Sequence, residues 1–204
     1  MTISDTIRLN NIILSNINIT SQENNIIKSF DNFYQNNEYN EIFLYLISSK
    51  SVISIRLIDH FVTKYAKNYK TSYKLQENNI EQQFNIYTSY KQQLKCYQKK
   101  NFDPFSRGER IPFFINDICI ITTIGQLNFF KWFISKKIYD FILFNQNIIE
   151  NDMNQKTRIN TNIIKKNKKP KILKQNIHYV PSYNRNNSSI ETKKYDNIIV
   201  SFSF

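Results

Sequence analysis

The sequence predicts an α+β fold, a single domain in which a mixed or antiparallel sheet packs on two or three helices. Apolar residues recur at three- and four-residue steps over residues 51–67 and 125–147, which is the period of a buried helix face. Two short apolar runs, residues 111–115 and 118–121, flank an Asn-Asp pair as the strands of a hairpin flank its turn. The 204 residues, 41% hydrophobic and 15% aromatic, are enough for one core.

The first 50 residues predict one short helix and several strands. Over residues 6–19 the apolar residues alternate partly with polar ones, which favours one bulged strand or two short ones. Ser21 is placed to cap a short helix over residues 23–34. Residues 41–47 form a compact apolar run of strand length.

Residues 51–67 predict a mostly buried helix with Ser51 at its N-cap. Its narrow exposed face holds Asp59 and His60 beside Arg56. His60 beside Asp59 and Arg56 is a candidate catalytic residue. A single histidine at the rim of a helix is more often a boundary residue, so the sequence leaves both roles for His60 open.

The second half of the chain predicts two further helices around the hairpin. Residues 69–83 are polar and predict a loop with a short strand near residues 73–75. A helix then ends near residue 101, and the longest helix runs over residues 125–147 with a kink near Ser135. The N-cap candidates of these two helices are Thr88 or Ser89 and Thr122 or Thr123.

A row of positive side chains precedes the hairpin. Lys91, Lys95 and Lys99 recur at four-residue spacing on the outer face of the predicted helix, and Arg107 and Arg110 follow it. Interleaved with aromatic residues, such groups are typical of surfaces that bind phosphates and bases together. The alternative is a solvated helix face beside a turn in which the arginines pair with carboxylates. These five residues are the candidate nucleic-acid-binding site.

One stretch of the chain concentrates the backbone constraints. The sequence has two glycines and four prolines, and both glycines, Gly108 and Gly125, fall here. Asp103-Pro104 predicts the entry to a turn that the aspartate side chain closes. Phe105 flanks that bend and is expected to anchor it by burying aromatic area. We expect Gly108 to have a positive φ at a second reversal.

The end of the chain differs from the rest. Asn, Lys, Ser and Thr dominate residues 151–193, and the basic run at 165–171 resembles a nuclear import signal. This composition buries too little apolar surface to offset chain entropy, so it predicts a disordered insertion. The predicted organisation is therefore a globular core over residues 1–150, a basic low-complexity segment over 151–193 and a closing strand over 194–204.

The charge of the chain favours anionic partners. The net charge is +12, and residues 151–204 carry eleven Lys/Arg against three Asp/Glu. Nucleic acid is the expected partner class. A basic tail that only aids solubility, and the lysine usage of an AT-rich genome, are the alternatives. No apolar run reaches the roughly 18 uncharged residues that span a bilayer, so no membrane partner is expected.

Common catalytic and cofactor motifs are missing from the sequence. It has no glycine-rich nucleotide-binding loop, no serine nucleophile elbow and no zinc-peptidase motif. Cys96, Cys119, His60 and His178 stand singly, without the spacing of a zinc site. We therefore expect a non-enzymatic protein with no metal and no cofactor. The segment Met1-Thr2-Ile3-Ser4-Asp5 has no basic residues before an apolar stretch, so no secretory signal is expected and we predict a reducing intracellular compartment.

Four blocks of sequence carry a resemblance to a known family. They are Ser54-Ile55-Arg56-Leu57-Ile58-Asp59-His60-Phe61-Val62-Thr63-Lys64-Tyr65, Tyr90-Lys91-Gln92-Gln93-Leu94-Lys95, Phe102-Asp103-Pro104-Phe105-Ser106-Arg107-Gly108-Glu109-Arg110-Ile111 and Thr122-Thr123-Ile124-Gly125-Gln126-Leu127-Asn128-Phe129-Phe130. With these blocks the chain resembles an uncharacterised protein family of the nucleocytoplasmic large DNA viruses, the mimivirus and algal-virus group.

The resemblance implies a viral protein that is located in the host-cell cytoplasm at the viral factory, in the nucleus or in the virion. It implies a partner among nucleic acids or the viral transcription machinery, with late gene expression as one setting. The alternative is a virion or assembly protein whose basic tail contacts packaged DNA or an acidic partner.

Overall fold

The computed structural model describes residues 3–77, 80–167 and 199–201. The helices are α1 (Ile3–Ser15), α2 (Ser21–Phe33), α3 (Asn37–Ile47), α4 (Ile55–His60), α5 (Ala66–Asn68), α6 (Ile86–Tyr97), α7 (Ile124–Ser135) and α8 (Ile138–Asn167). The strands are β1 (Ser72–Glu77), β2 (Ile80–Asn85), β3 (Ile111–Ile115), β4 (Ile118–Thr122) and β5 (Ile199–Ser201). The predicted α+β single domain is confirmed, although these ranges hold more helices than the two or three on which the sheet is predicted to pack.

The N-terminal region is helical where the sequence predicts strands over residues 6–19 and 41–47. In α1 the positions that turn inwards are Thr6, Asn10 and Leu14, at four-residue steps, and two of them are polar. Apolar residues alone therefore do not show the helical period. In α3 the buried residues are Asn40, Phe43, Leu46 and Ile47, which is also helical spacing. Both strand predictions are wrong.

Helix α1 lies along the outer edge of β3. The Asn10 side chain donates from Nδ2 to the Phe114 carbonyl at 2.9 Å and accepts at Oδ1 from the Phe114 N–H at 2.7 Å. Thr6 Oγ1 donates to the Asn116 carbonyl at 3.3 Å. Because Asn10 is only 4% exposed, its amide and the strand edge satisfy each other away from water.

The predicted hairpin is confirmed. Strands β3 and β4 pair antiparallel from Ile111 opposite Thr122 to Ile115 opposite Ile118. The turn residue Asn116 has φ 52°, a conformation that asparagine tolerates better than most residues. Strand β5 pairs antiparallel with the other edge of β4, so the sheet order is β3-β4-β5.

The longest predicted helix is divided in two. Thr123 caps α7, as one of the two N-cap candidates, by accepting at Oγ1 from the Gln126 N–H at 3.0 Å. The chain bends after Ser135, where a kink is predicted, because Lys137 adopts φ 55°. Ten of the twelve residues of α7 are buried, so α7 is the central helix of the core.

Helix α8 runs past the predicted core boundary at residue 150. Ile149 is fully buried, and Met153 packs against the core beyond the boundary. Residues 151–167 are therefore helical where a low-complexity segment is predicted. Residues 168–193 lie outside the described residues, so the prediction for that part stays a prediction.

Three boundaries between residues 50 and 101 differ from the sequence prediction. Ser54, not Ser51, caps α4 by accepting at Oγ from the Leu57 N–H at 3.1 Å. Strands β1 and β2 form a second hairpin where a loop with one short strand near residues 73–75 is predicted; that strand falls within β1. Asn85, not Thr88 or Ser89, caps α6, and α6 ends at Tyr97. Short polar residues are common near every helix start, so spacing alone does not select the capping one.

Between α4 and α5 the helix widens into a π-helical turn over Phe61–Tyr65. Phe61 and Val62 of this turn are fully buried. Phenylalanines dominate the core to which they belong: those less than 2% exposed are Phe30, Phe43, Phe61, Phe102, Phe113, Phe129, Phe130 and Phe133. Within the described ranges, no helix is both long and apolar enough to cross a membrane.

Candidate functional site

The loop between α6 and β3, residues 102–110, is fastened to the first turns of α7; we call it the Asp103 loop. The Asp103 N–H donates to the Gly125 carbonyl at 3.1 Å. Gln126 Nε2 donates to the Pro104 carbonyl at 2.9 Å, and Asn128 Nδ2 donates to the Asn101 carbonyl at 2.9 Å. The resemblance block that begins at Phe102 and the one that begins at Thr122 therefore form one unit, in which the latter holds the former by hydrogen bonds.

The amide of Gln126 is oriented by a second buried contact. Thr122 Oγ1 donates to Gln126 Oε1 at 2.8 Å, which leaves Nε2 free to donate to Pro104. Gln126 is 2% exposed and Thr122 is fully buried. Because an unsatisfied buried polar group is costly, this network fixes where the Asp103 loop begins.

The two glycines differ in how closely other atoms approach them, and neither has a positive φ. The positive φ predicted for Gly108 is wrong. A Cβ atom on Gly108 would meet its nearest neighbour, Thr123 Cβ, at 3.8 Å, so a side chain fits there. A Cβ atom on Gly125 would lie 2.7 Å from the Lys100 carbonyl oxygen. Gly125 is therefore needed for close backbone approach rather than for a turn.

Both glycines line a small cleft, with room for about 20 Å³, together with the ion pair of Glu23 and Lys100. Lys100 Nζ lies 2.8 Å from Glu23 Oε1, and the Glu23 side chain is 7% exposed. The hydrogen bond from Lys100 lowers the pKa of Glu23 below its ordinary value, and the one from the Thr20 backbone adds to this. Since Glu23 also completes the capping box of α2, this pair ties α2 to the start of the Asp103 loop.

Arg107 projects from the Asp103 loop and is held in place by Asp103 and Phe105. Arg107 Nε and Nη2 donate to the two carboxylate oxygens of Asp103 at 2.9 and 2.5 Å. The guanidinium also lies 4.9 Å from the centre of the half-buried Phe105 ring. The hydrogen bonds to Asp103 raise the pKa of Arg107. The structure thus contains the predicted ion pair for Arg107, yet its side chain remains 56% exposed.

Asp59 and Tyr90 belong to the same electrostatic cluster. Burial raises the pKa of Asp59, and the positive charges of Arg107, Lys64 and Lys99 oppose that shift. Burial raises the pKa of Tyr90 to about 12, and the negative charges of Asp59 and Asp103 add to it. Asp59, Tyr90 and Asp103, which belong to three of the resemblance blocks, therefore lie near enough to interact electrostatically, although Asp59 is far from the other two in sequence.

The predicted lysine row is broken at its third member. Lys91 and Lys95 are exposed on α6, but Gln98 turns the chain with φ 59° and ψ 168°. Lys99 therefore lies in the 3-10 turn Lys99–Asn101, on the side of Asp59. In the part of the chain that the structure describes, neither these three lysines nor the exposed Arg110 makes an ion pair.

The aromatic residues of this region belong to the core. Phe102 is 1% exposed. The centroid of its ring lies 5.2 Å from the ring centroid of Phe129 and 5.5 Å from that of Trp132. Trp132 Nε1 in turn donates to Ser89 Oγ at 3.0 Å. The aromatic residues interleaved with the cations therefore pack α6 and the Asp103 loop on α7, and Phe102 offers no face to a base.

His60 is buried rather than at an exposed rim. It is 6% exposed, and its Nε2 lies 2.8 Å from Asp152 Oδ2, while Tyr69 donates to Asp152 Oδ1 at 3.0 Å. This contact joins α4 to α8 across 92 residues, which no local pattern reveals. Of the two roles left open, the structure supports the structural one. Among residues 3–77, 80–167 and 199–201, no three His, Cys, Asp or Glu side chains are placed to hold a metal ion.

Comparison with known proteins places the chain in a family. The model of a family of unknown function, DUF7197, matches residues 3–203, and the chain belongs to this family. The chain is also similar to "Uncharacterized protein L507" of Acanthamoeba polyphaga mimivirus, with 34% identity over 167 residues. That alignment covers 78% of the chain and 64% of the mimivirus protein. No solved structure matches. The predicted resemblance to an uncharacterised giant-virus family is confirmed.

Proposed function

We propose that this viral protein is a non-enzymatic nucleic-acid-binding protein whose folded core contacts phosphates. The contact surface consists of Lys91, Lys95, Lys99, Arg107 and Arg110. The observation that carries the proposal is the unequal exposure of the two kinds of charge. These five cations are exposed, whereas of the three neighbouring carboxylates Asp103 is buried, Asp59 is half-buried and Glu109 alone is exposed.

The arrangement favours the phosphate backbone over the bases. Exposed positive side chains bind phosphates through release of counterions, with little regard to sequence. Four of the five make no ion pair within the described residues, and Arg107, although paired with Asp103, is 56% exposed. Reading of bases needs polar groups inserted in a groove or aromatic faces open to stacking. Phe102 is buried, and Phe105 is covered by Arg107. The surface is therefore expected to bind many sequences with similar affinity.

A triple substitution of Lys91, Lys95 and Lys99 by alanine tests the proposal. We expect roughly tenfold weaker DNA binding at low salt, and a slope of log affinity against log salt that is shallower by about 0.9 for each phosphate that is no longer neutralised. Because the three side chains are exposed and make no ion pair within the described residues, the free energy of unfolding should change by less than about 0.5 kcal/mol.

The matched control replaces Arg8, Lys28 and Lys50 by alanine, which removes the same charge from exposed positions outside the proposed surface. Fluorescence anisotropy with a labelled duplex measures both variants. If the two variants bind equally well, or if the lysine variant retains the affinity and salt slope of the parent, the phosphate surface does not exist.

A second candidate function, a virion or assembly protein, is favoured by a different observation. Helix α8 exposes Phe144 and Ile148, which phosphate binding does not need. Abundant protein in purified particles would support this role. Synthesis late in infection, with retention at viral transcription sites in the cytoplasm or nucleus, would support a role with the transcription machinery instead.

A further inference from the structure

Asp59 is a charged side chain without a partner beside the proposed contact surface. It is half-buried, and within the described residues its carboxylate accepts no hydrogen bond and makes no ion pair. Thr63 Oγ1 donates to the backbone carbonyl of Asp59 at 2.6 Å and leaves the carboxylate unsatisfied. Because partial burial of an unpaired charge is unfavourable, a ligand that donates a hydrogen bond would complete this site.

Positive charge surrounds this carboxylate. Burial raises the pKa of Asp59, and the charges of Arg107, Lys64 and Lys99 oppose that shift, so these cations lie near it. All three cations are exposed, as is Lys67 in the short helix that follows. These side chains would repel a cationic donor such as a lysine of another protein. The site therefore suits a ligand that carries negative charge and also donates a hydrogen bond.

Two tyrosines of α6 lie on the same side of the molecule as this carboxylate. Tyr87 and Tyr90 are three residues apart, on one side of a helix that packs against the π-helical turn, and both are partly exposed. The ring centroid of Tyr90 lies 6.0 Å from that of Phe102 and 6.1 Å from that of Trp132, so the core holds this ring from behind. Lys67 Nζ lies 5.8 Å from the centre of the Tyr87 ring. Aromatic rings beside cations are typical of surfaces on which unpaired bases stack.

We propose that Asp59, Lys64, Lys67, Tyr87 and Tyr90 form a binding surface for single-stranded nucleic acid, which we call the Asp59 surface. An unpaired base stacks on a tyrosine and donates from its amino group to the carboxylate, while the cations contact the flanking phosphates. A duplex keeps its bases stacked on one another, so only a single strand offers a base to these rings. The proposal rests on the nucleic-acid binding proposed above and adds the strand form that is bound.

The carboxylate should make the Asp59 surface distinguish between bases. Cytosine has an amino group that donates to a carboxylate, whereas thymine has a carbonyl oxygen at the same position of the ring. A carboxylate repels that oxygen. We therefore expect the parent chain to bind oligo(dC) on the order of tenfold more tightly than oligo(dT) of equal length, which corresponds to one hydrogen bond to a charged group.

Fluorescence anisotropy of the full chain with labelled oligonucleotides tests this preference. Asp59→Ala should bind oligo(dT) at least as tightly as the parent, because a negative charge is removed, and should lose the preference for oligo(dC). The control Asp140→Ala removes the same charge from an exposed position on α8 and should keep the preference. Equal binding of the two oligonucleotides by the parent, or a preference that survives in Asp59→Ala, overturns the proposal. Oligo(rC) and oligo(rU) repeat the comparison for RNA, and the sugar form that binds more tightly identifies the source.

A second variant tests the stacking. Tyr87→Leu keeps apolar bulk on α6 but removes the ring, so oligo(dC) binding should weaken roughly tenfold while duplex binding is unchanged. The control Tyr39→Leu alters another partly exposed tyrosine, on α3, and should leave both affinities unchanged. An unchanged affinity of Tyr87→Leu for oligo(dC) overturns the stacking. If the parent binds duplex with the expected salt slope but shows no preference for oligo(dC), the Asp59 surface alone is overturned. If the parent binds neither form, both proposals are overturned.

Discussion

The Asp103 loop and the outer face of α6 are neighbours with opposite construction. The start of the loop is tied to α7 by hydrogen bonds from Asp103, Gln126 and Asn128, and by the contact of Gly125 with the preceding backbone. Lys91 and Lys95 on α6 have no ion pair within the described residues. The difference separates residues that determine the shape of the surface from residues that are free to contact a partner.

Substitution of Phe102 should give the largest loss of stability in this region. Phe102→Ala removes a fully buried ring between α6 and α7, so we expect a loss of about 3–5 kcal/mol in the free energy of unfolding, measured by urea denaturation. The control Phe105→Ala, at the half-buried ring under Arg107, should cost less. Equal losses for the two variants would show that the loop is not anchored through Phe102.

Substitutions of the two glycines form a matched pair and should give the next largest change in stability. Gly125→Ala places a Cβ atom 2.7 Å from a backbone oxygen, and we expect it to destabilise the protein by about 1–3 kcal/mol. Gly108→Ala has room and a φ that alanine adopts, so its effect should lie within about 0.5 kcal/mol or stabilise slightly. Thermal unfolding of the two variants side by side distinguishes close packing from a turn requirement, and the opposite order would contradict this assignment.

The Glu23–Lys100 ion pair predicts a smaller, pH-dependent effect. The folded pKa of Glu23 lies below its ordinary value of 4.5, so its stabilising charge is fully present above that value and is lost as the pH falls through the folded pKa. Glu23→Gln keeps the side-chain cap of α2 but removes the charge. The melting temperature should fall less than in Gly125→Ala at pH 7, and the difference from the parent should vanish in acid. A difference independent of pH would assign the loss to packing.

Local sequence patterns predict the hairpin, the α7 cap and the bend before α8. In each case the signal lies within a few residues of the element: two apolar runs around an Asn-Asp turn, Thr123 before a buried stripe, and polar residues after Ser135. The same locality makes the ion pair between Asp103 and Arg107 foreseeable, since the two residues are four apart.

Contacts between distant residues account for most of what the sequence does not predict. The sequence of α1 resembles that of a strand because its buried position Asn10 is polar. The contact that buries Asn10, with Phe114, spans 104 residues. His60 is placed on an exposed face in the prediction because its partner, Asp152, lies in a segment predicted to be disordered. Gly108 is assigned a turn conformation because glycine permits one, although nothing nearby requires it.

The contact between Asn10 and Phe114 also bears on the order in which the sheet is protected during synthesis. An exposed strand edge invites pairing with another chain, and domains emerge from the ribosome from their N-terminus. Helix α1 precedes β3 in the chain, so α1 is already synthesised and can cover the β3 edge when the hairpin forms. The other edge, on β4, is paired only by β5, which is translated well after β4. We therefore expect unfinished chains to self-associate through β4, on one side of the sheet only.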